Sequence, residues 1–152
     1  MTTATVPNGS AYTLFCDDIR QEQGQKYAAM GVYVTQMVLD APKKTLDKFV
    51  ALTILELPIS DVPRPATISL MDGDKALVSE RFAIPADPPG SSRKCLLTIP
   101  IEAIPFEARA GMKLQVRISM EDYDYCSAQL DVAQTGLVEQ KALTGSSGLH
   151  SI

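Results

Sequence analysis

Ten prolines break the 152 residues of this chain into short pieces. Pro58, Pro63 and Pro65, then Pro85, Pro88 and Pro89, then Pro100 and Pro105 fall between short apolar runs. Proline has no backbone N–H and clashes with the preceding helical turn. This spacing therefore excludes long helices and favours strands joined by turns.

Eight runs read as strands. They are Tyr12 to Ile19, Lys26 to Thr35, Phe49 to Leu57, Thr67 to Met71, Ala76 to Ile84, Lys94 to Ile101, Met112 to Met120 and Ala128 to Ala133. In the seventh, Met112, Leu114, Val116, Ile118 and Met120 alternate with Lys113, Gln115, Arg117 and Ser119, the pattern of a half-buried strand. Phe49 to Leu57 is almost continuously apolar and reads as a strand covered on both sides. Asp72-Gly73 marks a hairpin, because glycine accepts positive φ. Ala76 to Ile84 alternates imperfectly at Leu77 and Phe82. One helical piece is expected around Ala41 to Lys48. About eight strands with regular turns imply an all-β fold, a two-sheet β-sandwich of immunoglobulin-like or similar type. A barrel has the same pattern. The expected domain covers residues 1–136. Residues 137–152, with Thr144-Gly-Ser-Ser-Gly148, are expected to form a flexible tail.

Composition narrows the function classes. Hydrophobic residues are 45% and charged residues 21%, as in globular chains. The net charge of -4 lacks the basic footprint of a nucleic-acid binder. No apolar run reaches the roughly 20 residues of a membrane-spanning helix. Met1 to Ser10 is polar, without the basic start and apolar stretch of a signal peptide, so the expected location is cytoplasmic. There is no Trp, and the single His is His150. Serine and cysteine nucleophiles paired with histidine therefore lack their base. Cys16, Cys95 and Cys126 have neither a disulfide framework nor zinc spacing. Aspartates beside Cys16 and Cys126 disfavour the reactive thiolate. The chain reads as a non-enzyme with no cofactor.

Two segments carry the candidate site residues. In Cys16 to Tyr27, a two-residue loop at Gln23-Gly24 makes Glu22 face Gln25, Arg20 face Tyr27 and Asp18 face Ala29. The other pleat face pairs Ile19 with Ala28, Asp17 with Met30 and Phe15 with Val32. That register turns Asp17 inward. A buried carboxylate needs partners, a bulge that turns it outward, or backbone N–H groups to cap. The second segment is Glu121, Asp122, Tyr123, Asp124, Tyr125 and Cys126. With Asp17 and Asp18 it offers oxygen ligands for calcium, without the spacing of an EF-hand. Tyr123 and Tyr125 alternatively offer a contact patch.

Phe15-Cys16-Asp17-Asp18-Ile19-Arg20, followed by Glu22, Lys26, Gly31, Val32 and Tyr33, resembles the N-terminal signature of an uncharacterised bacterial family described only as a domain of unknown function. The resemblance covers about a fifth of the chain. Tyr27-Ala-Ala-Met30 departs from the family's more aliphatic stretch. The resemblance implies a compact bacterial β-domain and supplies no activity and no site residues.

The leading expectation is a structural or protein-interaction β-domain that binds a protein partner or self-associates through a sheet face, an edge or the tail. Nucleic acid and membrane are not expected partners. The alternative is a ligand- or calcium-binding β-sandwich module using the acidic loops. Its candidate residues are Asp17, Asp18, Arg20, Glu121, Asp122, Tyr123, Asp124 and Tyr125. An enzyme with paired carboxylates ranks last.

Overall fold

A computed structural model describes residues 10–24, 26–58, 60–86, 95–121 and 123–136. In chain order the strands are β1 (Ser10–Glu22), β2 (Lys26–Tyr33), β3 (Gln36–Leu39), β4 (Lys43–Leu46), β5 (Phe49–Leu57) and β6 (Arg64–Asp72). They continue with β7 (Lys75–Ile84), β8 (Cys95–Ala103), β9 (Phe106–Arg109), β10 (Lys113–Ser119), β11 (Asp124–Cys126) and β12 (Leu130–Gln134).

The first sheet runs β2-β1-β5-β8 and is antiparallel throughout. The second runs β3-β12-β10-β6-β7, with β11 against β10 and one parallel pair, β12 with β3. A small third sheet pairs β4 with β9. β10 shows how pattern becomes layer: Leu114, Val116 and Ile118 are buried, while Lys113 and Ser119 are exposed.

One hydrophobic cluster draws on all three sheets. The first sheet contributes Phe15, Phe49, Ala51, Leu55 and Ile101. The second contributes Met37, Ile68, Leu70, Leu114, Val116, Ile118 and Val132. The third contributes Phe106 and Ala108. Phe49 is its aromatic centre, stacked on Phe106 at 4.8 Å and on Phe15 at 5.9 Å, with Tyr33 tilted at 6.0 Å. Offset stacking at such distances adds to what burial alone supplies.

The all-β class holds, but the strand number does not: the described residues form twelve strands, not about eight. The four additions are β3, β4, β9 and β11, each of three or four residues. Pieces so short carry no periodicity of their own and are strands because a partner holds them. The helical expectation for Ala41 to Lys48 is likewise wrong. Lys43–Leu46 is β4, with Leu46 opposite Phe106 and Lys43 opposite Arg109. Pairing across the chain overrides the local helical preference.

The hairpin register also differs by one residue. Glu22 faces Lys26, Arg20 faces Ala28 and Asp18 faces Met30. Three residues form the loop, and Gly24 supplies a φ of 79°. The Asp72-Gly73 hairpin forms as expected, with Asp72 opposite Lys75 and Gly73 at a φ of 57°. A register shift between Leu70 and Met71 accounts for the faulty alternation in β7. Leu70 pairs with Val78 and Met71 with Ala76, which leaves Leu77 as the extra residue of a bulge.

Candidate functional site

The residues of the first segment make a local structure of their own. β1 pairs with β5 only from Ser10 to Cys16. Beyond Cys16 it continues with β2 alone, as a two-stranded ribbon past the end of β5. Phe15 belongs to the core, but two residues on, the same face of β1 has left it. Asp17 is therefore exposed, not turned inward among apolar neighbours. Its Oδ1 accepts a hydrogen bond from the Tyr33 hydroxyl. Gly31 makes room for this carboxylate. A Cβ at Gly31 would sit 2.7 Å from Asp17 Cγ, and Gly31 has a φ of 66°.

On the opposite face, Asp18 Oδ1 accepts from Lys48 Nζ at 2.8 Å and from the Ile19 amide at 2.9 Å. Lys48 Nζ also lies 3.3 Å from Glu102 Oε1. The hydrogen bond from Lys48 holds the Asp18 carboxyl below its ordinary range, and that same bond raises Lys48. Cys16 is buried beside them. Burial pushes its thiol up first, and the charge of Asp17 pushes it further. Both effects disfavour the thiolate. Arg20 is exposed on the ribbon opposite Ala28.

The second segment splits. Tyr123 is buried and belongs to the core. Tyr125 is half-buried, and its hydroxyl meets Thr13 Oγ1 at 3.1 Å. Burial is the first cause raising both phenols. These tyrosines pack inward, so they present no stacking platform to solvent. Asp124 accepts from Ser119 Oγ at 3.0 Å, and Glu121 is exposed. Asp122 lies outside the described residues. Tyr125 meets β1 at Thr13, four residues before Asp17, or about 13 Å along an extended strand. Among the described residues no three His, Cys, Asp or Glu side chains gather as a metal group.

A different surface stands out, one that the acidic segments do not point to. Strands β1, β5 and β8 align in rows on the side of the first sheet away from the core. Leu14, Leu52 and Pro100 form one row. Tyr12, Ile54 and Thr98 form the row on one side of it. Cys16, Val50 and Glu102, with Val32 of β2, form the row on the other. None of these residues belongs to the core cluster. Cys16, Val50 and Leu52 are buried at the centre, and Leu14, Ile54 and Pro100 are half-buried. The rim is open: Leu96 is 65% exposed, Tyr12 55% and Val32 41%. Asp18, Lys48 and Glu102 bound one end, and Ser10 and Glu56 the other.

The second sheet shows what a solvent face looks like in this chain. The corresponding row there is Arg117, Ser69 and Ser79, with Ser69 Oγ and Ser79 Oγ 2.8 Å apart. The next is Ser119, Thr67 and Arg81. These rows of the second sheet are polar where the central rows of the first are mainly apolar. The outer face of the first sheet is mainly aliphatic and aromatic, the kind of surface that gains from burial. The signal for it was the doubly apolar run of β5, but the strand order was needed to set Leu14 and Pro100 beside Leu52.

No protein-family model matches the chain, and no curated protein matches it. Among the described residues no helix is long and apolar enough to cross a membrane.

Proposed function

We propose that this chain is a non-enzymatic interaction domain, a two-sheet β-sandwich that binds a protein partner on the outer face of its first sheet. The contrast between the two outer faces carries this reading. Contiguous apolar surface rimmed by charge is the pattern of an association site, whereas single scattered apolar residues are ordinary. The inward packing of Tyr123 and Tyr125 and the engagement of Asp17 and Asp18 by protein groups favour it over the calcium-binding alternative. Cys16 and Cys126, one buried and one exposed, suit a reducing compartment such as the cytoplasm.

The test compares two surface variants. Tyr12→Ser with Leu96→Asp alters the apolar rim, and Arg81→Asp alters the second sheet. Substitutions at such exposed positions shift stability by only about 0.5 kcal/mol, so both variants should fold. Binding is read by co-purification from the source cells and by molar mass in solution across concentrations. The expected result is loss of the associated species in the first variant and retention in the second. Concentration-dependent mass lost in the first variant would identify the partner as a second copy. Association unchanged in the Tyr12/Leu96 variant overturns the reading.

A further inference from the structure

We draw no further inference here: the strongest candidate, the cavity of about 210 Å³ where β2 leaves β1, lined by Thr13, Leu14, Phe15, Tyr33, Val34 and Leu130 among others, has no charged group in its lining, and nothing in the structure shows what covers it.

Discussion

Tyr33 and Asp17 are diagonal neighbours on one face of the β1–β2 pair, and the tyrosine hydroxyl donates to the carboxylate across the bare backbone of Gly31. The ring of Tyr33 leans on Phe49, so the hydrogen bond closes the edge of the core where β5 ends. Asp17, Gly31 and Tyr33 thus act as one structural unit.

Gly31→Ala should destabilise the fold by about 1–2 kcal/mol for the left-handed backbone alone. Displacement of Asp17 adds to this. In an Asp17→Ala background only the backbone share remains. Urea unfolding of the two single variants and the double variant should therefore show coupling of about 0.5 kcal/mol or more. Strict additivity would mean that the carboxylate does not fill the space over Gly31.

Burial, and then the bond to Asp17, hold the Tyr33 hydroxyl well above its ordinary value. The folded chain keeps a proton that the unfolded chain releases near a pH of about 10. The resulting stability is complete below that pH and drains away as the pH climbs above it. Phenolate absorbance should show a late step that coincides with unfolding and shrinks in Tyr33→Phe. A Tyr33→Phe titration identical to that of the parent chain would contradict this.

Asp18 behaves in the opposite sense. Its folded value is lowered by Lys48, so its contribution is present above the ordinary carboxylate range and is lost as the pH falls through the lowered value. Lys48→Met should lower the urea midpoint at neutral pH. The gap from the parent should close on acidification and narrow in high salt, because these side chains are partly exposed. A gap independent of pH would assign the effect of Lys48 to packing.

Thr53 is fully buried, and its hydroxyl meets Thr13 Oγ1 at 2.8 Å. Thr13 in turn reaches Tyr125. Tyr125→Phe should cost about 1 kcal/mol, since Thr13 keeps a partner. Thr13→Val leaves Thr53 stranded and should cost about 1–3 kcal/mol. Adding Thr53→Val should return part of that loss, because two apolar groups replace two polar ones. Thermal unfolding of the three variants orders them.

The long strands were legible because their apolar spacing is set by the chain itself. Phe49 to Leu57 and Met112 to Met120 reveal themselves without neighbours. Lys43–Leu46 does not: its strand character comes from Phe106–Arg109, sixty residues away. The hairpin register is not fixed by the sequence, because Gly24 suits two-residue and three-residue loops alike. Strand parity puts Asp17 on the face of Phe15, which is in the core. What parity cannot tell is where the neighbouring strand stops. The apolar outer face was half legible, in the doubly apolar β5. The acidic segments stand out as ligand sites in the sequence, yet Asp17, Asp18, Asp124 and Tyr125 are engaged by Tyr33, Lys48, Ser119 and Thr13.

The end of β5 beside Cys16 also divides β1 mechanically. Backbone amides before that point pair with β5 in the body of the first sheet, and releasing them opens that sheet. Those beyond it are held only by β2, and releasing them frays a ribbon. One continuous strand thus spans two levels of opening free energy, with Asp17 at the step between them.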